Sequence, residues 1–163
     1  MAAIPINKKE KSIIIKIYDT IAQIEHALST LTQNEDSALN TSILGRIAIS
    51  ETENLKFKAS IEKEKQRWHS ILQSDGPFQY YNTPEIGILF SVGPIFKILS
   101  NRVNSKAIAE LSNGIYGVLR GLGASEFQAT TYIRALQNDR YILIQRESLN
   151  GIDNNYFSTL YEG

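Results

Sequence analysis

The order of strand and helix patterns along the chain predicts an α+β fold, namely a ferredoxin-like split β-α-β sandwich with a helical insertion between strands two and three. Residues 12–49 show a strand, a helix and a strand in succession. Residues 85–146 show an apolar strand, a Gly-Pro break, two helices separated by Gly-Leu-Gly, and a last strand. A charged helical pattern in residues 51–84 is the insertion, and residues 148–163 are a tail, so we expect a single domain spanning residues 1–163.

Composition excludes several classes of function. The 17 basic and 17 acidic residues cancel, so the chain has no overall electrostatic attraction to nucleic acids or anionic lipids. The absence of cysteine excludes disulfides, thiolate metal sites and cysteine nucleophiles. The N-terminal residues lack a signal-peptide pattern, and no stretch approaches the roughly 18 apolar residues of a membrane span. We therefore expect a cytoplasmic protein without nucleic-acid or membrane partners.

The first half of the chain reads as strand, helix and strand. Residues 12–18 are rich in isoleucine, whose β-branched side chain favours a strand. Thr20 and Gln23 have the spacing of a capping box and start a helix. Residues 41–49 form the second strand, in which Gly45 predicts a bulge.

The insertion begins with a charged helix. One face of this helix is apolar, and the rest is mostly charged. Such a helix either packs one stripe on the domain or docks a partner, and both interpretations stay open at this stage. Gly76-Pro77 ends the helix, and residues 78–84 are predicted to be an irregular aromatic connector. The apolar stripe consists of Phe57, Ile61, Trp68 and Leu72.

The second half supplies two more strands around a pair of helices. Residues 86–92 form a strand that Gly93-Pro94 ends, whereas residues 95–99 fit either a strand extension or a turn. Ser105 is predicted to cap a helix, and Ser125 with Gln128 forms a second capping box. Three glycines in the first of these helices predict a close approach to another element, and residues 140–146 form the last strand. These glycines are Gly114, Gly117 and Gly121. The tail, residues 148–163, fits either a docked short helix or a frayed end, and docking is the prediction.

Both faces of the resulting four-stranded sheet are apolar. Alternation along each strand defines the two faces, and a face left in water should contain more polar residues than either of these. The first face, predicted to take the helices, carries Ile13, Ile15, Ile17, Ile43, Ile47, Ile88, Phe90, Ile142 and Ile144. The second face carries Ile14, Lys16, Tyr18, Leu44, Arg46, Leu89, Tyr141, Leu143 and Gln145.

An uncovered second face would expose an apolar patch of the size that marks interaction sites. The insertion helix, the aromatic connector or a second subunit would have to cover it, and we predict a homodimer. A small apolar ligand or a protein partner is the alternative occupant. The predicted ligand-binding residues are Tyr18, Arg46, Leu89 and Tyr141.

The segment Ile86-Gly-Ile-Leu-Phe-Ser-Val-Gly-Pro94, the glycine-spaced residues 114–126 and residues 132–146 resemble bacterial general stress proteins, which include heat- or low-temperature-induced proteins of unknown function. The resemblance implies an N-terminal strand-helix-strand, a glycine-rich middle and a final helix-strand. It also implies a stress-associated role, and it carries no catalytic residues over to this chain. Where a glycine- and alanine-rich middle is expected, this chain has its charged helix.

Catalytic and cofactor patterns are weak. The two histidines, His26 and His69, show no spacing that brings them together, so we expect structural or surface roles and no metal. Residues 121–126 lack the lysine of a phosphate-binding loop and separate two helices. Residues 86–92 also lack the RNA-recognition signature. We therefore expect no cofactor and no catalytic residues.

Three functions remain to be distinguished. The first is a non-enzymatic oligomerisation or interaction module. The second is a small-ligand-binding or sensory module with an apolar pocket on the sheet face. The third is an enzyme of the dimeric α/β-barrel kind, for which only Lys16, Arg46 and Gln145 could supply polar groups on that face.

Overall fold

Five strands of the described chain form one antiparallel sheet with helices on both faces. The computed structural model describes residues 13–31, 40–48 and 54–146. In chain order the elements are β1 (Ile13–Tyr18), α1 (Ile21–Leu31), β2 (Thr41–Arg46), α2 (Asn54–Leu72), β3 (Phe78–Thr83), β4 (Gly87–Val92), α3 (Phe96–Leu99), β5 (Arg102–Val103), β6 (Lys106–Ala107), a 3-10 helix (Ile108–Glu110), α4 (Gly114–Gly121), α5 (Glu126–Gln137) and β7 (Tyr141–Arg146).

The strand order in the sheet is β1-β7-β2-β4-β3, and every neighbouring pair is antiparallel. Because β1 and β2 both run antiparallel to β7, they are parallel to each other with β7 between them. By the same reasoning β4 and β7 are parallel with β2 between them, so both predicted β-α-β units exist in split form. The prediction of an α+β fold is confirmed.

The ferredoxin-like arrangement is not confirmed, because the helices lie on opposite faces instead of one. The face covered by α1 and α2 is called the α1/α2 face, and the other the α4/α5 face. The α1/α2 core contains Ile24, Leu28, Ile43, Ile47, Trp68, Leu72, Ile88, Phe90, Val92 and Leu143. The α4/α5 core includes Leu44, Tyr81, Leu89, Ile98, Leu99, Ile115, Leu119, Leu136, Ile142 and Ile144.

The predicted need for a cover on each face is confirmed. Leu44 and Leu89 are 1% and 0% exposed beneath the α4/α5 layer, and Leu143 is 1% exposed beneath the α1/α2 layer. The insertion helix α2 is one of the two covers of Leu143. Both faces are therefore covered within the chain, and a homodimer would have to use another surface.

The predicted composition of the two faces was partly wrong. Ile43 lies opposite Leu143, and Gly45 lies opposite Phe90, so the β2 and β4 residues assigned to one face lie on the other. Alternation along a strand shows which of its residues share a face, but the register between strands decides how those sets combine.

Gly45 is not a bulge, because β2 pairs with β4 in an unbroken register. A Cβ atom at this position would lie 2.5 Å from the Phe90 ring and 2.9 Å from the Tyr141 ring. Trp68 packs on the same rings, with ring centroids 5.5 Å from Phe90 and 5.7 Å from Tyr141. The glycine therefore provides space for aromatic rings on the α1/α2 face.

Three further predictions about local structure were wrong. Residues 78–84 are mostly strand β3, because their aromatic side chains pack while the backbone pairs with β4. Ser105 lies in the turn between β5 and β6, and the helix that it was expected to cap starts only at Gly114. Gly117 has open space around it, whereas Gly114 approaches the backbone of Ile108 closely, as predicted.

The two capping boxes are confirmed. The Gln23 N–H donates to Thr20 Oγ1 at 3.2 Å, and the Thr20 N–H donates to Gln23 Oε1 at 3.3 Å. Ser125 and Gln128 exchange the same pair of hydrogen bonds at the start of α5. The undecided residues 95–99 include the short helix α3, while residue 49 and the tail lie outside the described residues.

Candidate functional site

The four predicted ligand-binding residues do not meet in one pocket. Tyr18 and Tyr141 lie opposite each other on β1 and β7, on the α1/α2 face. Leu89 is completely buried on the α4/α5 face. The sheet separates Leu89 from the two tyrosines, because the register places them on opposite faces.

Arg46 is held by a carboxylate instead of facing a cavity. Its Nε and Nη2 donate to the two oxygens of Asp139 at 2.9 and 3.1 Å. The hydrogen bonding to Asp139 raises the pKa of Arg46, burial opposes that rise, and Coulomb attraction to the same carboxylate adds to it. The guanidinium therefore already has a bidentate partner across 93 positions of sequence.

Aromatic rings fill the α1/α2 face where a ligand would have to lie. Trp68 is 0% exposed between Phe90 and Tyr141, and its Nε1 donates to Glu64 Oε1 at 3.2 Å. Burial raises the pKa of the Tyr141 hydroxyl. This face is a packed core, so the predicted small-ligand pocket would need a different location.

Tyr18 lines an open cleft of about 540 Å³ at the end of β1. Asp19 and Arg140 form an ion pair of 2.5 Å in this cleft, and His26 lies on its α1 side. Tyr18 is the only predicted ligand-binding residue among the residues that line this cleft.

The most informative surface is the outer edge of β1, which among the described residues pairs only with β7 on its inner side. The Arg146 N–H donates to Asn40 O at 3.0 Å and so points toward β2. The N–H and C=O groups of successive residues point to alternate sides of a strand. The backbone groups of Tyr141, Leu143 and Gln145 therefore point toward β1. Their partners on β1 are Tyr18, Lys16 and Ile14.

The backbone groups of Ile13, Ile15 and Ile17 therefore point away from the sheet. The Tyr132 hydroxyl lies 3.5 Å from Ile15 O, which agrees with this direction. No other described side chain hydrogen-bonds to the backbone of β1. The edge thus presents a row of N–H and C=O groups that can pair with a further strand.

The side chains of β1 are apolar along this edge. Five of the six residues in the sequence IIIKIY are isoleucine or tyrosine, and all five are half-buried. Lys16 is the exposed exception and the only charge on the strand. Ile13 and Ile15 pack on the α4/α5 core, so the edge has an apolar flank as well as backbone groups.

The opposite edge, formed by β3, is capped by side chains. The Asn82 N–H donates to Glu110 Oε2 at 3.0 Å, and the Tyr80 N–H donates to Gln79 Oε1 at 3.0 Å. These two groups point outward from β3 and already have acceptors. Two of the three outward N–H groups of β3 therefore have acceptors, whereas no described side chain accepts from the outward N–H groups of β1, which makes β1 the more open template for strand addition.

Sequence reasoning predicted β1 as a strand but missed its position at the edge. The isoleucine run carries a partial signal, because five residues of high β-propensity with a single charge among them can template pairing wherever they are exposed. Its place at the edge depends on β7 pairing between β1 and β2, and no local pattern shows that pairing.

Comparisons with family models, with curated proteins and with solved structures found no match to this chain. The resemblance to general stress proteins therefore stays a prediction. In the described part of the chain, no helix combines the length and apolar character that a membrane crossing needs. The same residues hold no group of three or more His, Cys, Asp or Glu side chains suited to a metal ion.

Proposed function

We propose that the protein is a non-enzymatic interaction module that forms a homodimer by pairing β1 antiparallel with β1 of a second copy. The observation that carries this proposal is the row of outward-pointing backbone groups on Ile13, Ile15 and Ile17. The pairing joins the two five-stranded sheets into one continuous sheet.

The directions of the backbone groups select the register. If Ile15 lies opposite Ile15 of the partner subunit, Ile13 lies opposite Ile17 of the partner subunit. By symmetry, Ile17 then lies opposite Ile13 of the partner subunit. The N–H and C=O groups of all three residues point outward, so each pair of facing residues exchanges two backbone hydrogen bonds. A two-fold axis through Ile15 makes this edge complementary to itself, as closed dimer symmetry requires.

Charge favours the same register. Lys16 then faces Ile14 of the partner subunit, so the two ammonium groups are not directly opposed. A shift by two residues would place Lys16 opposite its own copy, and like charges directly opposite each other destabilise a strand pair. The side chains of Ile15 from both subunits meet on the α4/α5 face, where Ile15 is half-buried in one copy.

The dimer is expected to be of moderate affinity. One pair of six-residue strands is small beside a standard protein interface of about 1,600 Å². We therefore expect a Kd on the order of micromolar. A stress-associated role and a cytoplasmic location remain predictions that this proposal neither needs nor tests.

Reciprocal charge variants test the proposal. Ile15→Lys and Ile15→Glu each place like charges opposite each other across the two-fold axis, so each variant should be monomeric by light scattering. Mixing the two should restore a dimer, because Lys and Glu then face each other. Wild-type protein between about 1 and 500 μM, a range that starts near the expected Kd, provides the reference.

Amide hydrogen exchange identifies what occupies the edge. In the dimer, the amides of Ile13, Ile15 and Ile17 should exchange more slowly as the protein concentration rises. A strict monomer with fast exchange at these amides would overturn the proposal. A monomer with slow exchange would overturn it too, because a segment of the same chain would then cover the edge.

A further inference from the structure

A second pocket lies at the end of the sheet where β2 starts and β4 ends, away from the β1 edge. Its volume is about 210 Å³ and it is more enclosed than the cleft beside Tyr18. Apolar walls come from Leu72, Val92, Pro77 and Pro94. Leu72 and Val92 belong to the α1/α2 core, so these walls are set by packing.

The backbone around Gly93 shapes the pocket. Gly93 has a φ of +106°, and a Cβ atom here would lie 2.3 Å from Thr41 O. The Gly93 N–H donates to Pro77 O at 2.9 Å, which connects two sides of the pocket. The close approach of β2 to the turn after β4 therefore depends on glycine at this position.

Two hydrogen-bond donors stand beside these apolar walls. Lys97 is exposed at the pocket, and no acidic side chain of the described residues lies within ion-pair distance of it. Ser74 Oγ accepts the Gly76 N–H at 3.2 Å, which leaves its own hydrogen to donate elsewhere. No carboxylate is among the lining residues, so Lys97 supplies the one charge on the pocket wall.

Two features near the end of α2 oppose an anion here: the partial negative charge of the helix C-terminus, and the exposed carboxylate of Asp75 between the lining residues Ser74 and Gly76. Two of the last carbonyls of α2 are already paired, since the Ser74 N–H donates to His69 O and the Gln73 N–H donates to Ser70 O. Lys97 lines the pocket and Asp75 does not, so the charged side chain that a ligand inside the pocket contacts is a cation.

We propose that this pocket binds a small monocarboxylate with an apolar body, with Lys97 and Ser74 on the carboxylate. A cavity of about 150 Å³ holds benzene, so 210 Å³ has room for about eight non-hydrogen atoms. A six-carbon fatty acid or a simple aryl acid has this size. Charge-assisted hydrogen bonds to the carboxylate would orient the ligand while Leu72 and Val92 contact its apolar end.

Isothermal titration with hexanoate, 1-hexanol and hexylamine tests the inference. Hexanoate should bind at least about tenfold more tightly than hexanol, and hexylamine should not bind, because its charge opposes Lys97. Lys97→Met should reduce hexanoate affinity about tenfold and leave hexanol unchanged. Lys106→Met, an exposed lysine on the β5–β6 hairpin, is the matched control and should have no effect.

Several results would overturn the inference. Equal affinity for hexanoate and hexanol would show an apolar cavity without an acid site. Absence of binding at millimolar hexanoate, or loss of binding in Lys106→Met but not in Lys97→Met, would remove the site. Because the pocket lies away from the β1 edge, hexanoate binding can be measured on either the monomer or the dimer. The result of the titration is therefore independent of whether β1 pairs.

Discussion

The two edges of the sheet end in different ways, although both are six-residue strands rich in large side chains. On β3, oxygens of Gln79 and Glu110 accept the outward N–H groups of Tyr80 and Asn82. On β1, three isoleucines direct their backbone groups outward, and of the side chains that the structure describes only Tyr132 hydrogen-bonds to them.

The difference shows how a protein can select one edge for pairing. A carboxylate at an edge both occupies a donor and repels the carbonyls of an approaching strand. The β3 edge is protected by this means, whereas the β1 edge combines exposed backbone with an apolar flank. Association through one edge gives a closed dimer, whereas association through both would give open chains of molecules.

The largest effect is expected from proline at Lys16, whose N–H points inward to β7. Lys16→Pro removes a hydrogen bond of the β1–β7 pair and should lower the free energy of unfolding by about 2–4 kcal/mol. Lys16→Ala, which changes only an exposed side chain, should cost less than about 0.5 kcal/mol. Urea denaturation measures both. Equal losses would mean that the direction of the backbone groups on β1 is wrong.

The next effect lies in the centre of the sheet, between the two edges. Gly45→Ala places a methyl group against the rings of Phe90 and Tyr141 and should lower the free energy of unfolding by about 1–3 kcal/mol. Gly117→Ala, at an exposed position of α4 with open space around it, should be neutral or stabilising by up to about 1 kcal/mol. The midpoint of thermal unfolding measures the stability change in both variants. An unchanged midpoint for Gly45→Ala would show that the rings move aside.

A smaller change in stability but a new assembly is expected when β3 is uncapped. Glu110→Ala removes the acceptor of the Asn82 N–H and should cost about 1 kcal/mol. With both edges open, analytical ultracentrifugation should show species larger than a dimer. Glu62→Ala, on the exposed side of α2, is the control. If Glu110→Ala leaves the size distribution unchanged, the carboxylate does not protect this edge.

The smallest effect concerns alkaline pH. Burial raises the pKa of Tyr81 on β3 and of Tyr132 beside β1 above the ordinary value of about 10. The folded state then keeps protons that the unfolded state releases. Stability is therefore complete below about pH 10 and falls as the pH rises through the raised pKa values.

Tyr81→Phe should make this alkaline loss shallower, at the neutral-pH cost of the 2.6 Å hydrogen bond between the Tyr81 hydroxyl and Ser100 Oγ. Urea midpoints at pH 8, 10 and 11 measure the slope, with Tyr80→Phe on the exposed part of β3 as the control. The attribution to Tyr81 fails if the two variants show the same slope as wild type.

Much of the local structure could be predicted from residue patterns. The capping residues Thr20 and Ser125 start helices because their hydroxyls accept backbone N–H groups a turn ahead, which is a contact within four residues. The isoleucine run of β1 and the apolar run of β4 were predicted for similarly local reasons. The aromatic strand β3 was missed, because its pairing with β4 overrides the turn signals around it.

The candidate site was predicted less well. Tyr18, Arg46, Leu89 and Tyr141 were grouped by alternation along separate strands, and the actual register divides them between the two faces. The hydrogen-bonded ion pair between Arg46 and Asp139 could not be predicted, because 93 positions separate the two residues and neither lies in a distinctive motif.

The sequence by itself determined most of the strands and helices, although not β3, and it determined that neither face of the sheet could stay in water. These properties follow from side-chain shape, local hydrogen bonding and the cost of exposing apolar surface. Only the tertiary structure decided which helices cover which face, which strand lies at the edge, and where Lys97 stands relative to apolar walls. Those outcomes depend on pairing between distant segments, where a shift of one residue moves every side chain to the other face.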